Sequence, residues 1–318
     1  MRKILSLALC LMMVLSCIPA FAEEDVAVKT GLSFVVSLEK SKDGQSQANM
    51  PLTAVAVDDN GVITACVIDY IQAKVKFDEN GKITSDLTAE VLSKNELGDG
   101  YGMRKASSIA AEWNEQAAAF AAYCVGKTVE ELSGMAVNEN GVSVDLAASC
   151  TLTVNEFLPG VVDAVNNAAH RGAKKSDVLK LTQVSSISKS KDATAEAEGQ
   201  TQVYTHVGMF TLNGNVITSA YIDAVQANVK FDAQGKVTSD ITAPVATKNV
   251  IKDGYGMRPA SAIGKEWFEQ TAFFCEFITG KTLEEAVVIA REPANSDVVS
   301  GCTIKTGDFL KLLVKAAQ

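Results

Sequence analysis

GVITACVIDYIQAKVKFDENGKITSDLTA, residues 61–89, returns without a gap as NVITSAYIDAVQANVKFDAQGKVTSDITA, residues 215–243. Asp69, Gln72, Lys76, Phe77, Asp78, Gly81 and Lys82 recur as Asp223, Gln226, Lys230, Phe231, Asp232, Gly235 and Lys236. The register continues through DGYGMRKAS and DGYGMRPAS, through Trp113 and Trp267, and through GKTVEE and GKTLEE. Upstream, Lys40 to Asp43 matches Lys189 to Asp192; downstream, Asp145, Thr151 and Phe157 match Asp297, Thr303 and Phe309. A period this long exceeds any solenoid repeat, so the chain is read as a tandem duplication of a whole domain.

Each copy predicts the same order of elements. A β-rich opening (Val26 to Leu38; Val178 to Ile187) leads into alternating apolar and polar residues, which Asp59, Asn60 and Gly61 punctuate as a hairpin turn. Asn80 and Gly81 are read as a second such turn. Ile109, Trp113, Phe120 and Cys124 then fall on one face of a helix stopped by Gly126, and Ile263, Trp267, Phe274, Ile278 and Gly280 repeat it. Thr128 with Glu131, and Thr282 with Glu285, are capping boxes opening another helix. A last helix is expected at Phe157 and Phe309. The fold class is α+β: two tandem copies of a mostly antiparallel sheet packed with helices. The first copy is placed at 23–168 and the second at 177–318, with the small, polar stretch 169–176 between them as a linker.

The opening MRKILSLALCLMMVLSCIPAFA carries Arg2 and Lys3, an apolar run and small residues at Ala20 and Ala22, which reads as a signal peptide over residues 1–22. A lipobox ending at Cys17 is the weaker alternative, since Leu15 suits it poorly. The expected location is therefore secreted, outside the membrane. Of 29 basic and 38 acidic residues, two basic ones leave with that segment, so 27 against 38 gives a net charge near −11. Such a surface repels phosphate backbones, and no nucleic acid is expected as a partner. Cys66, Cys124, Cys150, Cys275 and Cys302 fit no disulfide framework.

No metal-ligand cluster or nucleotide loop of the common kinds occurs. With only His170 and His206 in the chain, no serine or cysteine nucleophile finds its usual base, so no catalytic residue is assigned and an electron carrier is favoured over a substrate-specific enzyme. Asp69 and Asp223 read as structural carboxylates at strand ends. Tyr101, Gly102 and Met103, repeated as Tyr255, Gly256 and Met257, sit in a retained loop whose tyrosines are candidate ligand contacts.

SDVVSGCTIKTGDF, residues 296–309, has a blurred counterpart in VDLAASCTLTVNEF, residues 144–157. Small residues at Ser300 and Gly301 let the backbone approach a bulky group, with the Thr303 hydroxyl just before the last helix. Asp297, Ser300, Gly301 and Thr303, with Cys302 for alanine, resemble the D-x-x-S-G-A-T motif of the FMN-binding domain family. That family is known from the C subunit of the sodium-translocating NADH:quinone reductase, the G subunit of the Rnf complex and secreted flavoproteins of Gram-positive bacteria. The resemblance extends over nearly the whole of each repeat. It implies FMN joined through a phosphoester to Thr303, and to Thr151 in the first copy, by a flavin transferase that uses FAD. It also implies Cys150 and Asp145 beside Thr151, and a membrane-bound or extracellular redox partner. Ala148 and Ser149 depart from the motif, since serine takes a glycine-only conformation at a cost. The alternative is an extracellular binding or surface module that kept the fold and lost the flavin.

Overall fold

The computed structural model describes residues 25–318; the signal-peptide segment and Cys17 lie outside them. The fold is α+β, with two antiparallel sheets. The first copy supplies β1 (Ala27–Phe34), β2 (Gln45–Val57) and β3 (Ile63–Lys76); the second supplies β5 (Val178–Ser186), β6 (Gly199–Asn213) and β7 (Val216–Phe231). Each set is a meander, in the orders β3-β2-β1 and β5-β6-β7, and a further strand adds to the first sheet beside β1.

The stretch expected to be a linker is instead strand β4 (Ala169–Lys174), which pairs antiparallel with β1. β1 is otherwise an edge strand with unpaired main-chain groups, and covering that edge outweighs the polar composition of the segment. His170, placed in the linker by sequence, is thus an exposed strand residue 3.1 Å from Asp59.

The two sheets pack face to face. Along β2, Ala48, Met50, Leu52 and Ala54 join Val203, Val207 and Met209 of β6 in one shared core. The alternate residues Val55 and Val57 point outward, under helices α2 (Trp113–Cys124) and α4 (Val154–Asn166). In the second copy Phe210, Leu212 and Ile222 face α6 (Trp267–Ile278), α7 (Leu283–Arg291) and α8 (Gly307–Ala316). The strands are therefore buried on both faces, which explains their nearly continuous apolar character. The layers run helix, sheet, sheet, helix.

The copies also clasp each other at their turns. Phe77 and Phe231, equivalent residues, stack with ring centroids 4.0 Å apart. Ile83 N–H donates to Asp192 Oδ1 at 2.8 Å, and reciprocally Val237 N–H donates to Asp43 Oδ1 at 2.9 Å. The second expected hairpin is reduced to a single bridge, Phe77 to Ile83, because its next main-chain donor, Lys76 N–H, is taken by Ser85 Oγ at 2.8 Å.

The long helices start at Trp113 and Trp267, later than the apolar spacing from Ile109 and Ile263 suggests. Ala110 (φ 49°) and Gly264 (φ 62°) hold left-handed backbone that no α-helix can contain. Glu112 with Glu115, and Glu266 with Glu269, then close capping boxes. The Thr128–Glu131 and Thr282–Glu285 boxes form as expected, opening α3 (Val129–Ser133) and α7.

Candidate functional site

Thr303 and Thr151 occupy one geometry in both copies. Each lies in the extended stretch that enters the last helix, behind a buried cysteine, Cys302 or Cys150. From α6, the buried amide of Gln270 reaches that stretch: the Thr303 N–H donates to its Oε1 at 2.8 Å and the Thr303 hydroxyl at 3.2 Å. Gln270 Nε2 in turn donates to Ser261 Oγ and the Lys265 carbonyl, both at 3.0 Å. Gln116 repeats every one of these bonds, holding Thr151 N–H at 2.8 Å and its hydroxyl at 3.1 Å. Its Nε2 donates to Ser107 Oγ and the Ala111 carbonyl, both at 3.1 Å. A fully buried amide with both ends satisfied fixes each threonine's rotamer. Thr303 is exposed, Thr151 half-buried, and among the described residues neither hydroxyl oxygen accepts a hydrogen bond. Sequence reasoning missed both glutamines. The signal was present in WNEQ and WFEQ, where a polar residue sits three positions after the tryptophan on the buried side of a helix.

Gly301 is retained for space and not for backbone freedom. Its φ is −132°, open to any residue, which corrects the expectation of a glycine-only conformation. A Cβ there would stand 2.3 Å from the ring of Phe273. The first copy has Ala119 where the second has Phe273, so Ser149 meets no such ring and the departure from the motif is compensated. Ser300 Oγ closes the preceding turn by donating to the Asp297 carbonyl at 2.8 Å. Asp297 is itself exposed, whereas Asp145 accepts from the Tyr123 hydroxyl at 2.7 Å. Beside Gly301, Phe273 and Phe277 stack with centroids 6.1 Å apart, and Lys265 and Lys281 lie over their rings at 5.3 and 4.8 Å. The Phe273–Lys265 half of this aromatic, cationic ridge belongs to the second copy alone, since the first has Ala119 and Ala111 there; the other half is repeated in the first copy by Tyr123, with Lys127 3.8 Å over its ring.

The retained tyrosines are half-buried. Tyr101 and Tyr255 each lie over a buried lysine, Lys94 in α1 (Lys94–Leu97) and Lys248 in α5 (Lys248–Ile251), at 4.8 and 4.3 Å. Trp113 and Tyr70 complete the cage of Lys94; Trp267 and Tyr204 complete that of Lys248, whose Nζ donates to the Tyr204 hydroxyl at 2.7 Å. Burial lowers Lys94 from the usual lysine range and Lys248 to about 8. Gly102 (φ 81°) and Gly256 (φ 76°) supply the left-handed turn after each tyrosine, and Glu112 and Glu266 bind the following two main-chain N–H groups. The loop is thereby a lysine clamp.

Asp69 and Asp223 stand in mid-strand, not at strand ends. Each accepts from the backbone of a short helix, Asn95 N–H at 3.1 Å and Asn249 N–H at 3.0 Å, and burial pushes both carboxyls up to about 6. His206 is buried under Trp267 and Phe309, with Nδ1 3.5 Å from Asp308; burial lowers it to about 4. All five cysteines of the described residues are free thiols.

Cavities of about 500, 780, 510 and 400 Å³ are among those that open on this framework. Neither Thr303 nor Thr151 lines any of them. The first is walled by Phe268, Ala272, Cys275 and Thr279, the flank of α6 opposite Gln270 and Phe273. A group held at Thr303 would therefore lie beside Phe273 and outside these four cavities. Compared with protein-family models, with curated proteins and with solved structures, the chain finds no match in any of the three.

Proposed function

We propose that the protein is a flavoprotein-like electron carrier, working outside the membrane, with FMN attached through a phosphoester to Thr303. The observation that carries this reading is the Gln270 clamp. It holds an exposed hydroxyl in one rotamer, at the position where the chain resembles the FMN-binding domain family.

The residues present fit the group at the second copy. Oγ1 accepts no bond from the described residues, so its lone pairs are free for phosphorus, while the hydroxyl proton rests on Gln270 Oε1. In the step implied by the resemblance, that oxygen bonds to the FMN phosphorus of FAD, AMP leaves, and the proton passes to the transferase or to water. Phe273 and Phe277 offer a flat apolar surface beside the attachment point, and Lys265 and Lys281 place positive charge around it. Bound there, the isoalloxazine ring would supply one- or two-electron chemistry. Thr151 has the same clamp but only the Tyr123–Lys127 half of that ridge, so the second copy is the principal carrier.

Covalent attachment suits a protein outside the cell, where a cofactor that dissociates is not replaced. Co-expression with a flavin transferase, followed by in-gel flavin fluorescence, tests the reading. A fluorescent band lost in Thr303→Ala and kept in Thr151→Ala supports it. A dark band in wild type leaves the second reading, a flavin-free binding module, which is favoured by cavities lying away from the threonines.

A further inference from the structure

The 500 Å³ cavity between β7 and α6 has a counterpart at the same place in the first copy, and the two differ in their charged residues. The counterpart, about 400 Å³, is lined by Cys66, Val67, Ile68, Asn95, Asn114 and small alanines, with no charge. In the second copy Phe268 replaces Asn114, Glu276 replaces Ala122, and two cations, Arg171 and Lys252, join the lining.

Arg171 comes from β4, the strand between the copies, and reaches this cavity and the adjoining 780 Å³ one, which Lys252 also lines, but not the first copy's counterpart. Its guanidinium lies 4.8 Å over the Tyr221 ring, and Nη1 alone is engaged, by the carbonyls of Thr30 and Ala169. Among the described residues no carboxylate lies within 4.0 Å of it, and Nε and Nη2 donate to no atom. Of the acidic groups nearby, Glu276 is on the exposed rim, while Asp163 and Asp223 line the adjoining 780 Å³ cavity. A half-buried arginine with free donors is a vacant anion partner.

Lys252 carries the second signal. It has φ 51° and ψ −120°, a conformation that L side chains rarely adopt. The first copy puts Gly98 at this position, with φ 49° and ψ −126°. Strained non-glycine backbone clusters at ligand-binding sites, and this residue, unlike the other such case among the described residues, Ala110, brings a charged side chain to the same cavity as Arg171.

We propose that this cavity binds a small amphipathic anion: an apolar body of one or two rings against Ile222, Phe268, Ala272 and Cys275, with a carboxylate or sulfonate head between Arg171 and Lys252. The site is independent of flavin attachment, lying on the other flank of α6.

Anilinonaphthalene sulfonate, titrated by fluorescence into the whole protein, tests the proposal, with its uncharged relative phenylnaphthylamine as the comparison. Saturable binding at one site is expected, weakened about tenfold or more by Lys252→Gly and by the cavity-filling Ala272→Phe, with the neutral relative weaker by a similar factor. Because Lys252→Gly restores the first copy's backbone, its melting temperature should hold or rise, so lost binding is not lost folding. Equal binding of the sulfonate by both variants, equal binding of the neutral probe, or no saturable binding in wild type would each overturn it.

Discussion

The Thr303 hydroxyl donates to Oε1 of Gln270 at 3.2 Å, and Thr151 and Gln116 repeat the contact at 3.1 Å. Two copies whose sequences differ around the threonine have kept the same buried amide beneath it. Replacing Gln270 by Ala strands the Thr303 and Ile304 N–H groups and opens the Ser261 loop. We expect a loss of about 1–3 kcal/mol, read as an earlier unfolding midpoint in urea, together with reduced flavin loading. An unchanged midpoint and full loading would show that the clamp does not position the threonine.

Gly301 and Phe273 form a matched pair, as Ser149 and Ala119 do. Gly301→Ser should destabilise by about 1–3 kcal/mol through overpacking against the ring. Phe273→Ala in the same chain should recover part of that loss, giving a coupling energy of about 0.5–3 kcal/mol in a double-mutant cycle. Simple additivity of the two changes would contradict the pairing.

The duplication, the capping boxes and the hairpin at Gly61 were legible because each rests on local chemistry or on comparison of the chain with itself. Other features were not, for identifiable reasons. β4 is a strand only because β1 offers an open edge, a tertiary fact that the polar residues 169–174 cannot signal. The sandwich of the two sheets was hidden since strands buried on both faces lose the alternation that would assign each face. Gln270 was readable in hindsight as a polar residue at a core position, whereas Arg171 acquires meaning only when β4 brings it to α6. The tyrosines of the retained loop turned out to wrap lysines.

Because the sheets share one core and Phe77 stacks on Phe231, the two copies should unfold as one unit. Phe77→Ala is expected to cost about 3–5 kcal/mol and to lower the melting of the whole molecule in a single calorimetric transition. Two separate transitions, with only the first copy affected, would mean that the copies are thermodynamically independent.

Asp223 links stability to pH. Its folded-state value of about 6 lies above the ordinary 3.8, so between these values the folded protein holds a proton that the unfolded chain has released. Its contribution is therefore greatest at low pH and is lost as pH rises through 6. Asn at this position can keep the bonds to Ala224 N–H, Asn249 N–H and Thr247 without titrating. Wild type should gain on Asp223→Asn as pH falls from neutrality toward 4, seen by urea denaturation across that range. A stability difference that does not vary with pH would refute the raised value.

The account rests on Thr303 as an attachment point, and the most direct measurement is the intact mass of the protein purified from its own host, with peptide mapping of the region around residue 303. We predict a mass increased by one FMN less one water, with the flavin on the peptide that contains Thr303 and lost in Thr303→Ala. An unmodified peptide in host-purified protein would contradict the claim and leave a duplicated binding module in its place.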